Sequence, residues 1–260
     1  MDDEEKFFDQ SKKEIFSQGN DEKLKSLTND WIIESARLKY SYHFNWLGRP
    51  IIQYPQDIIG LQEILWKVQP DIVIETGIAR GGSLIFFSSI LELIALCGGP
   101  ESSKIIGIDI DIRSHNKQAI LDHPLSKRIE MIEGSSTDTK IYEQIKEKVE
   151  IGKKILVCLD SNHTYKHVKK ELDLYGPLIS KGSYIIVCDT IIEDMPQNFF
   201  ADRTWGTGDN PKTAVLEYVS ELNQNSSYGN DGELLKFQID TEIENKLLIT
   251  VSPSGYLKRV

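Results

Sequence analysis

Asp71-Ile72-Val73-Ile74-Glu75-Thr76-Gly77-Ile78-Ala79-Arg80-Gly81-Gly82-Ser83 decides how this chain is read. It opens as a short β-branched run suited to a buried strand, turns through glycines, and enters an apolar stretch that continues as a helix to Leu96. Glycine allows a sharp turn and lets a ligand approach with no Cβ in the way. The helix that follows presents free N–H groups. A dinucleotide-binding turn has G-x-G-x-x-G, with a pyrophosphate resting on the helix dipole. Here the spacing is Gly77, Gly81, Gly82, and Glu75 stands just before the turn. A carboxylate in that place repels a pyrophosphate and suits the cationic amino and sulfonium groups of S-adenosylmethionine.

Downstream, strands and helices alternate. Strands are expected at 104–110, 128–134, 154–160 and 183–190, with helices around 115–121, 137–149 and 165–174 between them. Such alternation predicts an α/β fold, a doubly wound and mostly parallel sheet with helices on both faces. After a helix at 212–222, the runs 234–243 and 246–253 read as an antiparallel pair at the C-terminal edge, which makes seven strands. Upstream, 46–57 reads as an ordered connector, with Asp57 capping a helix over 58–68 that Pro70 ends. Residues 1–45 carry Leu24, Leu27, Trp31 and Leu38 at helical spacing and form a helical extension to a domain spanning 46–260.

Ligands bind beyond the carboxyl ends of such strands. The second strand ends in Asp109, placed to accept ribose hydroxyls, and the third in Ser135 and Ser136, placed for an adenine edge or a helix cap. The fourth ends in Asp160 and the fifth in Asp189. Two carboxylates emerging side by side repel unless a cation or a proton lies between them, and oxygen donors of this kind suit Mg²⁺. His163 follows Asp160 by three residues and can take a hydroxyl proton near neutral pH. His167, one turn on, is expected to face solvent. Methyl transfer then needs alignment and exclusion of water, and the aromatic, glycine-hinged loop 199–211 is a candidate lid.

A net charge of −10 opposes nucleic acid, whose phosphates need clustered Lys and Arg. No run of 18 apolar residues predicts a transmembrane helix. Cys97, Cys158 and Cys188 lack a CxxC spacing, and the acidic N-terminus does not read as a signal peptide, so a reducing, cytoplasmic setting is expected. The amphipathic N-terminal helices are candidates for homo-oligomer contacts.

The segments IETGIARGGS, GIDIDIR, EGSSTD, LDSNHTYKHV and WGTGDNP, with the connector WLGRPIIQYPQD, resemble the cephalosporin hydroxylase / rhamnosyl O-methyltransferase family over about residues 40–220. The resemblance implies a class I methyltransferase fold, S-adenosylmethionine and Mg²⁺ as cofactors, and a small-molecule or sugar hydroxyl as acceptor. It puts Glu75, Gly77, Gly81 and Ser83 at the methionine end, Asp109 at the ribose, and Ser135 and Ser136 near the adenine. Asp160 and Asp189 would hold the metal, with Asp160 also bordering the cofactor and His163 near the acceptor. A further acidic or amide ligand is expected beside Asp189, but its neighbours are Cys188 and Thr190. Thiolate is a poor Mg²⁺ ligand, so the ligand position passes to Thr190 or water. Three rival readings are weaker. A nicotinamide-dependent dehydrogenase predicts the missing G-x-G-x-x-G, an iron hydroxylase needs a two-His, one-carboxylate triad on a β scaffold, and a non-catalytic module would keep the fold alone.

Overall fold

The computed structural model describes residues 2–149 and 152–260. Its centre is a seven-stranded sheet in the order β5-β4-β3-β6-β7-β9-β8. The five parallel strands are β3 (Ile72–Thr76), β4 (Lys104–Asp109), β5 (Ile129–Glu133), β6 (Ile155–Leu159) and β7 (Tyr184–Val187). β3 and β6 are buried at every position, as strands covered on both faces must be. Strand order reverses between β3 and β6, which opens a crevice beyond their carboxyl ends. Here lie Gly77, Asp160 and Asp189.

Two apolar layers cover the sheet. One combines α3 (Pro55–Val68) and α4 (Gly82–Leu96), with Leu65, Leu84 and Phe86 wholly buried against Val73 and Ile105. The other combines α6 (Thr139–Lys148), α7 (Tyr165–Tyr175) and α8 (Pro211–Gln224), with Ile145, Leu172 and Val215 set against Ile74 and Val157. Helix α5 (Ser114–Leu121) makes the crossover from β4 to β5.

Four expectations need correction. First, the ordered connector expected at 46–57 contains regular structure: β1 (Phe44–Trp46) and β2 (Arg49–Ile51) form a small hairpin around Leu47-Gly48. Second, Asp57 is not a helix cap. Helix α3 starts at Pro55, whose fixed φ suits a first helical position. Asp57 is instead buried, and its carboxylate accepts from Val251 N at 3.0 Å and Tyr256 Oη at 2.8 Å. Third, residues 246–253 form no strand. Asp240 caps a short helix, α9 (Thr241–Leu247), and the edge is completed by β8 (Phe237–Ile239) and β9 (Tyr256–Arg259), both antiparallel to their neighbours. The run Lys246-Leu-Leu-Ile-Thr-Val reads as a strand locally, yet Ile243 and Leu247 dock on the core as a helical stripe. Fourth, the fifth strand stops at Val187, so Asp189 stands in the turn after it.

The extension is helical, as α1 (Asp3–Gly19) and α2 (Glu22–Arg37). α1 packs on α9, where Gln18 Nε2 donates to Asn245 O at 2.6 Å. Trp31 of α2 joins Tyr40, Phe44 and Tyr54 in a run of tilted and edge-on rings 5.0 to 5.8 Å apart. Among the described residues no helix is long and apolar enough to cross a membrane.

Candidate active site

At the end of β3 the chain turns at Gly77 (φ +91°), where any Cβ would collide with the Asp160 carbonyl. This close approach seats the glycine turn against the end of β6. The turn is locked from three sides. Asp109 accepts from Ile78 N at 2.8 Å and Ala79 N at 3.1 Å, Asn116 donates to Ala79 O, and Arg49 donates to Arg80 O. Gly81 (φ +81°) then starts α4, and Gly82 leaves no room for a side chain against the Pro50 carbonyl of the hairpin. Glu75 is 1% exposed beneath the turn, and its Oε2 has no hydrogen-bond partner among the described residues. Burial raises its pKa well above the usual carboxylate range, against the opposing hydrogen bond from Ser83. An orphaned acid next to a glycine cradle fits the cationic end of S-adenosylmethionine.

The crevice holds a cavity of about 440 Å³, within the usual size range for small-molecule sites. Gly77, Ser83, Asp160, His163 and Asp189 line it, whereas Glu75, Gly81, Asp109, Ser135, Ser136 and Thr190 stand behind or beside the lining. Ser136 is buried, with its Oγ 3.1 Å from His167 Nε2, and His167 in turn lies 3.1 Å from Ser161 Oγ. His167 therefore points inward, opposite to expectation. It bridges the end of β5 to the end of β6.

At the reaction end, Asp160, His163 and Asp189 each offer a ligand atom within 4.8 Å of the others. His163 Nε2 lies 3.1 Å from Asp189 Oδ2 and 3.6 Å from Asp160 Oδ1. Burial pushes the Asp160 carboxyl up to about 6, with the hydrogen bond from His163 opposing and the charge of Asp189 adding to the rise. For His163, burial pulls the imidazole down, but Asp189 and Asp160 outweigh it and raise the pKa to about 9. Two carboxylates thus hold a proton between them, and a divalent cation fits the same place. Thr190 does not complete this set. It is fully buried, and its hydroxyl donates to Pro253 O at 2.7 Å because the chain turns at Asp189 (φ +57°) toward the 250–253 loop.

The loop expected as a lid covers this end. It is pinned rather than loose. Glu193, in the turn 190–194 after Asp189, accepts from Gly208 N at 2.8 Å and from the Asn210 amide. Asn210 caps α8, and Asp209 accepts from Tyr165 N at 2.7 Å, so the loop also closes the start of α7. Trp205 is thereby held with its ring centre 5.2 Å from that of His163 and 4.7 Å from that of Phe200.

Sequence reasoning missed the wall opposite. Gln53 is buried, with Nε2 3.4 Å from Asp160 Oδ2, and Tyr54 feels the charge of Asp189. Neither sits at a strand end. Their one local signal is polar groups in an ordered, proline-bounded segment.

A doubly wound sheet with a glycine turn after its first parallel strand and an acid–imidazole–acid cluster at the reversal point defines a Rossmann-like methyltransferase. The chain belongs to the family described as Rhamnosyl O-methyltransferase/CmcI, which it matches over residues 38–260. It is 35% identical over 207 residues to the rhamnosyl O-methyltransferase of Mycobacterium bovis (strain BCG / Pasteur 1173P2), covering 78% of this chain and 73% of that one. It is also 35% identical over 217 residues to that of Mycobacterium leprae (strain TN), covering 82% of each. A CmcI structure with Mg and SAM shares the fold at a TM-score of 0.56 and 18% identity, over 84% of this chain and 77% of that one. The chain is accordingly an S-adenosylmethionine-dependent O-methyltransferase acting on a hydroxyl group, with an Asp/His/Asp cluster suited to a divalent cation.

Proposed function

We propose that this protein methylates a hydroxyl on a glycosyl unit, a rhamnosyl unit being the first candidate, and that His163 takes the hydroxyl proton. The observation that carries this is the Asp160–His163–Asp189 cluster on the cavity wall, beneath the Trp205 ring. The sugar class is supported by the 35%-identical relatives, which are rhamnosyl O-methyltransferases.

S-adenosylmethionine supplies a methyl group on a sulfonium, and a divalent cation lowers the pKa of a hydroxyl that it contacts. Glu75, Gly77, Gly81 and Ser83 would seat the methionine end, Asp109 the ribose side, and Ser135 and Ser136 the adenine side. Asp160 and Asp189 would hold the cation. Their charge keeps a proton on His163, so neutralising them lets the imidazole go neutral and act as a base. With S-adenosylmethionine bound, its sulfonium would supply the methyl group to the acceptor oxygen, and His163 Nε2 would take the hydroxyl proton. Trp205 and Phe200 shield this step from water.

The test is calorimetric titration of S-adenosylmethionine and S-adenosylhomocysteine with and without Mg²⁺, followed by product analysis with a rhamnoside. Micromolar binding of both and a methylated sugar support the reading. No binding in either condition removes it.

We also propose that residues 1–45 act as a helical extension of the domain 46–260, and that they mediate homo-oligomer contacts. Phe7, Phe8 and Phe16 are 68%, 55% and 68% exposed along α1, which supports this role. A chain lacking residues 1–37 should elute with fewer subunits; an unchanged count refutes it. Cytoplasmic placement is part of the same proposal. It is supported by three cysteines that lack a CxxC spacing.

A further inference from the structure

We infer that the acceptor glycosyl unit carries a phosphate ester, held by Arg203 and Lys39 while its hydroxyl faces His163. The inference rests on the O-methyltransferase reading and adds the charge of the substrate.

Three cations line the cavity: Lys39, Arg80 and Arg203. Each is exposed, and among the described residues none has a carboxylate within ion-pair distance. Other cations of the chain are tied down: Arg128, Lys169, Lys212, Lys246 and Arg259 each meet a carboxylate at 2.8 Å or less. Positive side chains left free around one cavity of an acidic protein make a local field of opposite sign to the whole.

Position divides the three. Arg80 belongs to the glycine turn at the cofactor end. Arg203 belongs to the acceptor end. Its guanidinium stands 5.8 Å from the Trp205 ring centre, and that ring is 5.2 Å from His163. The guanidinium is therefore no further from the imidazole than these two steps together, a span that one sugar ring and one ester linkage can bridge. Lys39 lines the same cavity from a left-handed turn at φ +54° just before Tyr40. Tyr40 packs on Tyr54, whose neighbour Gln53 reaches Asp160 Oδ2 at 3.4 Å, so this segment too borders the reaction end.

The pairing of residue types favours phosphate. A guanidinium offers a planar fork of donors that matches phosphate oxygens, and a lysine adds a mobile point charge. A neutral glycoside would leave both without an anionic partner. The pinned loop matters here, because Glu193, Asp209 and Asn210 fix the turn that carries Arg203 and Trp205 and so set the spacing before any acceptor arrives. A sugar 1-phosphate and a nucleoside diphosphate sugar present the same chemistry.

The experiment is calorimetry on the full chain saturated with S-adenosylhomocysteine and Mg²⁺. The probes are methyl rhamnoside, rhamnose 1-phosphate and a nucleoside diphosphate rhamnose. The phosphorylated probes are expected to bind at least about tenfold more tightly than the glycoside, with an advantage that shrinks as salt rises. In the double variant Arg203→Gln, Lys39→Gln that advantage should fall below about twofold, with S-adenosylhomocysteine affinity and melting temperature unchanged. If the nucleoside diphosphate sugar binds more tightly still, it is the natural source; equal binding of the two points to the sugar phosphate. Equal binding of charged and neutral probes, a double variant that keeps the preference, or no probe binding to cofactor-loaded protein would each overturn the inference. Failure to bind S-adenosylhomocysteine at all would instead remove the methyltransferase reading beneath it.

Discussion

Two charge clusters stand at opposite ends of the parallel strands, and they are built to opposite rules. At the amino ends Arg259, 1% exposed, is matched in charge: it donates to both oxygens of Asp231 at 2.7 Å and to the Ile179 carbonyl, with only Nε unpartnered among the described residues. The Arg259 hydrogen bonds hold Asp231 below the usual carboxylate range. At the carboxyl ends Asp160 and Asp189 face each other with one imidazole between them, and the Asp160 carboxyl is pushed up to about 6, chiefly by burial. A balanced pair stabilises the fold. An unbalanced one seeks a ligand, and the contrast separates structure from function better than burial does.

Each cluster can be broken separately. Arg259→Ala leaves Asp231 without its partner and opens a hole among Ile179, Glu233 and the β9 backbone. It is expected to cost about 3–5 kcal/mol in urea unfolding while cofactor affinity in the folded fraction stays intact. A loss below about 1 kcal/mol would mean that the pair is not closed. Asp160→Asn should do the reverse. Turnover is expected to fall by at least about a hundredfold, with S-adenosylhomocysteine affinity within a few-fold and no loss of melting temperature. Equal loss of turnover and cofactor binding would undo the metal-site assignment.

Asp57 sharpens the comparison, being a buried acid with hydrogen bonds but no cation. Burial raises its pKa to about 6, against the opposing bonds from Thr250, Val251 and Tyr256. The protonated form is thus favoured by folding. Its contribution is fully present below about pH 4, the unfolded value, and is lost as pH rises through 6. Wild-type protein should therefore lose up to roughly 3 kcal/mol against Asp57→Asn between pH 4 and pH 7. Denaturant melts at both pH values check this, and a constant difference would refute it. The smallest effect is expected from Asp209→Ala, which removes the acceptor for Tyr165 N and loosens the loop that carries Trp205. It should cost about 1 kcal/mol of stability and lower turnover without changing cofactor affinity. Unchanged turnover would mean that the loop does not need its anchor.

Much of the site was legible because it follows from strand ends. A buried strand has a continuous apolar run, so the residues just after it mark the ligand face, and Gly77, Asp160 and Asp189, picked out in this way, line the cavity. Gln53 and Tyr54 were not, because their place on the cavity wall depends on how the β1–β2 hairpin folds over Gly82. Thr190 was read as a ligand from its neighbour in sequence, yet one left-handed residue at Asp189 turns it to Pro253. Helical spacing alone turns His167 to solvent, whereas its inward direction follows from Ser136 in the turn after β5.

The sequence by itself determined the alternation of elements, the mostly parallel sheet, the glycine turn and the acids at strand ends. Each of these is a local pattern of burial or of backbone freedom. The tertiary structure alone decided what those groups face. It left Glu75 Oε2 without a partner among the described residues, placed His163 between two carboxylates, bent 241–247 into a helix against α1, and laid Trp205 over His163. Contacts between residues far apart in the chain have no local signature, because they depend on which elements become neighbours once the core has packed.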